Sequence, residues 1–309
     1  MHRFAGIYTP LATPFAADGS LDARALARNV ERYLRSRLTG LVVLGSNGEA
    51  PQLEEHEADL AIKTVREAMP KDRPLLAGTG RESTAATIAA TERAAALGVD
   101  AVLVRTPSFY KGQMTTDAFV RHYTQVADRS PVPVLLYNVT IYTGVNLLPE
   151  AVGILSKHPN IAGIKETNSD MVQFGEYLAR AADGFTVLAG SGATYYSALT
   201  LGAHGAILAV AGVAPDLCVD IFNAVRDGRL DEARRMAHRL APLSKLVGAT
   251  YGVPGLKAAI TLLGLDGGAP RPPLLPVGQQ AVDVIREQLK ELGLFSTPTR
   301  KGRALGAPV

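Results

Sequence analysis

Cysteine is almost absent from this 309-residue chain, where Cys218 stands alone. A lone thiol excludes an internal disulfide framework and a cysteine-based zinc site, and it suits a reducing compartment. A dominant charge is missing too. The 32 Lys and Arg residues nearly balance 29 Asp and Glu, for a net charge of +3. Basic side chains are spread along the sequence except around Arg300, Lys301 and Arg303, so nothing argues for a nucleic-acid partner. No apolar run is long enough to span a bilayer, and no signal-peptide core follows the opening Met1-His2-Arg3-Phe4; a cytoplasmic protein with no membrane partner is expected. What remains is 47% hydrophobic and 20% charged, a globular composition with ample length for one large core or two smaller ones.

Short apolar, β-branched-rich runs recur along the first two thirds of the chain: Gly6 to Thr9, Leu41 to Leu44, Leu75 to Gly78, Ala101 to Val104, Val132 to Leu136, Ile161 to Ile164, Thr186 to Ala189 and Ala206 to Val210. Alanine-rich segments with helical spacing separate them, such as Ala85 to Leu97 and Asp117 to Ala127. Strands apolar on both faces imply a parallel sheet covered by helices, and eight βα units in roughly 220 residues predict a closed (β/α)8 TIM barrel. After Val210 the strand signals stop. The expected organisation is a barrel over residues 1–222, a helical domain over 223–296 with a Pro/Gly-rich break at Gly264 to Pro276, and a loose tail over 297–309.

In such a barrel the active site forms at the C-terminal ends of the strands. Strand two runs into Gly45-Ser46-Asn47-Gly48-Glu49, strand five into Tyr137-Asn138, strand six into Lys165-Glu166-Thr167 and strand seven into Gly190-Ser191-Gly192. Each alone reads as an ordinary turn or core residue. On one rim they supply one pocket with an amine, a phenol, hydroxyl and amide donors, and backbone N–H groups. Lys165 follows the apolar run Ile161 to Ile164, and its amine is the candidate to attack a carbonyl. Glu49 is expected to orient its glycine-rich turn, His56 to lie on a solvated helix face, and Cys218 to be a buried small apolar residue.

Taken in order, Gly45-Ser46-Asn47-Gly48-Glu49, Tyr137-Asn138-Val139, Gly163-Ile164-Lys165-Glu166 and Leu188-Ala189-Gly190-Ser191 resemble the dihydrodipicolinate synthase and N-acetylneuraminate lyase superfamily of class I pyruvate-dependent aldolases. The resemblance covers nearly the whole chain. It implies that Lys165 forms the imine with pyruvate, that Tyr137 relays protons with Ser46 as its partner, and that Ser46 and Asn47 hold the carboxylate. Thr167, Gly190 and Ser191 are the further substrate-binding candidates. It also implies a homotetramer and no cofactor or metal, the imine being formed directly with the substrate.

Departures bear on the second substrate. Where the synthases place an arginine for the aldehyde's carboxylate stands Tyr142, which offers no charged fork, and where sialic acid lyases place acidic residues stands Ser191-Gly192-Ala193. The segments His158-Pro159-Asn160-Ile161 and Gly252-Val253-Pro254-Gly255-Leu256-Lys257 are similar to the 4-hydroxy-2-oxoglutarate aldolase branch, which splits its substrate into pyruvate and glyoxylate. That reaction is the expectation, with dihydrodipicolinate synthase or a 2-keto-3-deoxy sugar acid aldolase or dehydratase as alternatives. Phe109 stands where many members have a relay tyrosine, and Thr140 where they have proline. Two further readings are a phosphate-handling barrel, from the glycines after strands seven and eight, and a 2-oxo acid binding protein without catalysis.

Overall fold

A computed structural model describes residues 2–295; the tail expected over 297–309 lies outside the described residues. Eight parallel strands close into a barrel in sequential order: β1 Gly6–Pro10, β2 Gly40–Val43, β3 Leu75–Gly78, β4 Ala101–Arg105, β5 Val134–Asn138, β6 Ile161–Glu166, β7 Thr186–Ala189 and β8 Gly205–Ile207. The expected fold is therefore the observed one. Helices α1 Ala23–Tyr33, α2 Glu55–Ala68, α3 Thr84–Ala96 and α4 Thr116–Arg129 follow the first four strands. After β5 come a single turn, α5 Thr140–Thr143, and α6 Pro149–Leu155; α7 Met171–Arg180, α8 Tyr195–Leu201 and α9 Pro215–Arg226 complete the outer ring. The chain ends in α10 Leu230–Lys245, a π-helical turn over Leu246–Thr250, α11 Gly252–Leu262 and α12 Gln279–Glu291.

Alternation along the strands separates two cores. Tyr8, Val42, Leu76, Leu103, Leu135, Leu188 and Ile207 fill the barrel interior, while the other faces of the strands pack against the helices. The helices carry their own start signals: Asp22, Ser83, Thr115 and Asp170 each accept a backbone N–H at the head of α1, α3, α4 and α7.

Several boundaries differ from the sequence expectation, and four of the strand ends have a local reason. Leu44 leaves β2 with a left-handed φ of 57°, and its carbonyl lies where a Cβ on Gly78 would stand, only 1.9 Å away. Without a side chain at Gly78 the chain can turn there toward the barrel mouth. β5 starts at Val134 because Pro133 has no N–H to enter the ladder. β6 continues through Lys165 and Glu166, so the lysine is part of the strand. β8 stops at Ile207, and Ala209–Gly212 coils into a 3₁₀ turn; short apolar runs do not distinguish these states by periodicity. The boundary expected at residue 222 falls inside α9.

A buried imidazole, His122, and a half-buried one, His204, are expected to make stability fall on mild acidification. Burial lowers the His122 pKa to about 4, and burial beside His2 lowers His204 to about 4. The folded protein then binds fewer protons than the unfolded chain between pH 6.5 and 4, so stability is present above that window and is lost as pH falls through it. His122→Gln is expected to flatten the decline of melting temperature between pH 6.5 and 4.5, a range above the titration of most carboxylates. An unchanged pH profile in thermal melts would show that His122 titrates normally.

Candidate active site

Strand register builds the centre of the site. Tyr137 on β5 pairs directly with Lys165 on β6, and Lys165 with Leu188 on β7, so the three side chains form one row facing the barrel mouth. Lys165 and Tyr137 are each 4% exposed. The lysine Nζ lies 4.2 Å from the centre of the Tyr137 ring, and the Tyr137 hydroxyl is 3.2 Å from Ser46 Oγ. Amine, phenol and hydroxyl are thus consecutive.

The turn after β2 supplies anion donors. Ser46–Gly48 is a 3₁₀ turn closed by Gly48 N–H to Gly45 O at 2.9 Å and Glu49 N–H to Ser46 O at 3.1 Å. Its opening N–H groups at Ser46 and Asn47 have no protein acceptor among the described residues, as at the start of any helix, and are available to a carboxylate. On the opposite wall a Cβ at Gly190 would lie 2.4 Å from Thr167 Oγ1 and 3.0 Å from Lys165 Cε, so glycine keeps the lysine accessible. Thr167 Oγ1 is itself buried without a protein partner. Asn47, Tyr137, Lys165, Thr167, Gly190 and Ser191 line one cleft of about 560 Å³. Ser46 opens onto the two adjoining clefts and joins the row through Tyr137. All seven predicted site residues therefore converge.

The acidic neighbours are structural. Glu166 turns away from Lys165 and is buried under Asn138 and Gln173, whose amides donate to Oε2 at 2.8 and 3.2 Å. Burial raises its pKa and these hydrogen bonds oppose the shift. Asn138 Oδ1 also accepts from Leu147 N–H at 3.1 Å, fixing the chain beyond α5. His56 is exposed on α2, and Cys218 is fully buried, its thiol pushed up by burial. Phe109 stands 77% exposed on the loop after β4, edge to face with Tyr110, and does not line the lysine cleft. Among the described residues no group of three His, Cys, Asp or Glu side chains forms a metal site.

Sequence reading missed what fixes the anion-binding turn. Glu49 sits in the left-handed region with φ 55°, 2% exposed, and its carboxylate meets Lys257 Nζ from α11 at 2.5 Å and Arg271 N–H at 2.8 Å. Lys257 also donates to Ala269 O at 2.8 Å. Arg271 in turn holds Glu57 through two bonds of 2.6 and 2.7 Å, which lowers the Glu57 pKa to about 2. The ring of Phe15 lies between the two cations, 4.4 Å from Lys257 Nζ and 4.2 Å from the Arg271 guanidinium. The legible signal was the lysine ending Gly252-Val253-Pro254-Gly255-Leu256-Lys257, whose buried carboxylate partner only the fold identifies.

The sequence profile of the dihydrodipicolinate synthetase family matches residues 3–292. The chain belongs to that family. It is 35% identical to the 4-hydroxy-tetrahydrodipicolinate synthase of Thermodesulfovibrio yellowstonii over 94% of this chain and 99% of that one. With the protein of the same name from Xanthomonas axonopodis pv. citri the identity is 39%, over 88% of this chain and 89% of that one. The crystal structure of dihydrodipicolinate synthase from Thermotoga maritima superposes with a TM-score of 0.91 at 32% identity, covering 95% of this chain and all of that one. A second dihydrodipicolinate synthase structure, described as a monomeric variant, gives 0.90 at 32% identity over 95% of this chain and 98% of that one. As a member of the dihydrodipicolinate synthetase family, the chain is an enzyme of the lyase class.

The buried pair makes a stability test. Lys257→Met, which leaves the Glu49 carboxylate buried without its cation, is expected to cost about 3–5 kcal/mol. The double variant Glu49→Gln, Lys257→Met is expected to cost less than the sum of the single changes. Denaturant titration of the four proteins measures both, and strict additivity would mean that the pair contributes nothing as a pair.

Proposed function

We propose that this chain is a Schiff-base aldolase that joins or separates pyruvate and a small aldehyde. The observation that carries the reading is the Lys165, Tyr137 and Ser46 row beside unoccupied carboxylate donors at Ser46 and Asn47. The Lys165 amine adds to the ketone carbon of pyruvate, and loss of water gives an iminium on the lysine. A proton leaves the methyl carbon and the electron pair moves into an enamine, the positive nitrogen acting as electron sink. The enamine carbon then attacks the aldehyde carbon, whose oxygen takes up a proton. Water adds to the iminium carbon and releases the 2-oxo acid product and the free amine; cleavage is the same sequence reversed. Tyr137, hydrogen-bonded to Ser46, moves protons between substrate and solvent, while the turn N–H groups hold the pyruvate carboxylate. The scheme uses no cofactor.

Two readings of the aldehyde have support. The relatives above carry the name 4-hydroxy-tetrahydrodipicolinate synthase, and not 4-hydroxy-2-oxoglutarate aldolase, which favours aspartate semialdehyde. The site chemistry favours glyoxylate: the residue at the expected arginine position is Tyr142, a phenol lining the lysine cleft. Glyoxylate, with cleavage of 4-hydroxy-2-oxoglutarate as the reverse reaction, is the reading adopted here. A cytoplasmic homo-oligomer, most simply a tetramer, accompanies it. Phe109, Tyr110 and Ile141, 77%, 70% and 71% exposed around the barrel mouth, are apolar surface that a second subunit would cover. Among the described residues no helix is long and apolar enough to cross a membrane.

Incubation with pyruvate and borohydride is expected to add one reduced pyruvyl group to Lys165, detected by intact mass and peptide mapping and abolished in Lys165→Ala. No adduct would overturn the imine and bring forward the phosphate-handling barrel, in which Lys165 is structural. Tyr137→Phe is expected to retain the adduct while kcat falls roughly 10²–10³-fold. Turnover of glyoxylate against aspartate semialdehyde decides the aldehyde, and Tyr142→Arg is expected to shift kcat/KM toward the semialdehyde.

A further inference from the structure

Among the described residues, the cleft that holds Lys165 is lined by one other charged side chain, Lys245, and by no carboxylate. Lys245 is the last residue of α10, where the helix gives way to the π-helical turn closed by Tyr251 N–H to Leu246 O at 3.0 Å. Such turns interrupt regular helix at a cost and recur at functional sites. The preceding residue, Ser244, is buried against the loop after β7, its Oγ 2.0 Å from where a Cβ on Gly192 would stand. Glycine at 192 thus lets the end of α10 approach the rim closely, beside Ser191 and Gly190. Lys245 itself is exposed, and among the described residues its ammonium has no carboxylate within 4 Å and no hydrogen-bond acceptor. The cations lining the neighbouring clefts are paired: Arg105 has Nη1 on Glu82 Oε1 at 2.8 Å, and Arg81 has Nε on Glu55 Oε1 at 2.8 Å.

We infer that Lys245 binds the carboxylate of the second substrate and so selects an aldehyde that carries an acid group. The inference rests on the aldolase reading and deepens it. The first carboxylate is accounted for by the Ser46 and Asn47 turn, and Tyr142 offers no charge, so a two-carboxylate product leaves one anion without a partner. An ammonium on a flexible stem lining the same cleft supplies it as a point charge, tolerant of approach direction, where an arginine would demand a planar fork. The cation also lies on the helical region outside the barrel, so the choice of second substrate is separated from the imine machinery on the strands.

Borohydride trapping tests this without knowing the aldehyde. 2-Oxoglutarate has the carbon skeleton of the pyruvate and glyoxylate product, and 2-oxopentanoate matches its length with an uncharged end. In the wild-type enzyme half-maximal labelling of Lys165 is expected at a lower concentration of 2-oxoglutarate than of 2-oxopentanoate. Lys245→Met is expected to reduce that preference about tenfold, the worth of one charge-assisted hydrogen bond, and Lys245→Arg to restore most of it. A preference unchanged in Lys245→Met, or a shift that is equal for both acids, overturns the assignment. If pyruvate and both longer acids fail to label Lys165 in the wild type, the aldolase reading falls and this inference with it; labelling by pyruvate with no preference between the longer acids removes the Lys245 role alone. A thermal melt of each variant separates loss of fold from loss of selectivity.

Discussion

The rest of the site depends on one buried ion pair, Glu49 with Lys257. The turn that presents Ser46 and Asn47 is only three residues of 3₁₀ helix, too short to hold its own shape, and it ends in a non-glycine residue with left-handed backbone. Such a conformation persists only where surroundings over-determine it. Here they do so from outside the barrel: α11 delivers the lysine, and the segment before α12 delivers the Arg271 N–H and guanidinium. Desolvating both charges is costly, so the pair is weak evidence of net stability. What it supplies is geometry, because any movement of the turn would separate two charges in a medium that screens them poorly. The C-terminal helices are on this account part of the anion site even though the barrel is complete without them.

Register does the equivalent work for the covalent chemistry. In a parallel barrel a shift of one residue would send Lys165 to the helix side and bring Glu166 to the mouth. The actual pairing, Tyr137 with Lys165 and Asn138 with Glu166, sends amine and phenol inward together and their polar neighbours outward together. The outward pair then finds Gln173, Tyr177 and Asn146 in the layer between sheet and helix, a network that satisfies the buried carboxylate. A single alternation thus both aims the nucleophile and anchors the strand carrying it.

Much of this was legible in the sequence because it is local. Eight apolar runs spaced by helical segments specify the barrel, and a residue that ends a barrel strand is at the mouth by topology, which is why Lys165, Tyr137, Ser46, Asn47, Thr167, Gly190 and Ser191 converge as predicted. What stayed hidden is non-local or depends on backbone detail. Glu49 read as a turn-orienting acid, but nothing in the spacing connects it to Lys257 or Arg271. Gly192 read as part of a tight turn, whereas its use is to admit Ser244 from a helix far along the chain. Lys245 ends a polar helix pattern rich in arginine, and only the fold brings it into the cleft with Lys165. The early end of β2 came from the Leu44 backbone, a φ that propensity would not assign to leucine.

The same division explains why family membership constrains the reaction more tightly than the substrate. The residues of the proposed imine chemistry, Tyr137 and Lys165, lie on β5 and β6, where in-register neighbours lock their side chains. The other polar groups lining the cleft stand elsewhere: Tyr142 on the single turn α5, Ser191 beyond β7 and Lys245 at the end of α10. None of these contributes to the barrel core, so each can change without disturbing the lysine. A bidentate guanidinium fixes both position and plane of a carboxylate, while a phenol paired with a mobile ammonium fixes only charge and distance. On the proposed reading, a short oxo-acid such as glyoxylate tolerates that looser grip, because it has fewer rotatable bonds to freeze than a longer amino-acid aldehyde. The cleft thus joins, on that reading, a rigid half on the strands to a looser half on α5, the loop after β7 and the end of α10.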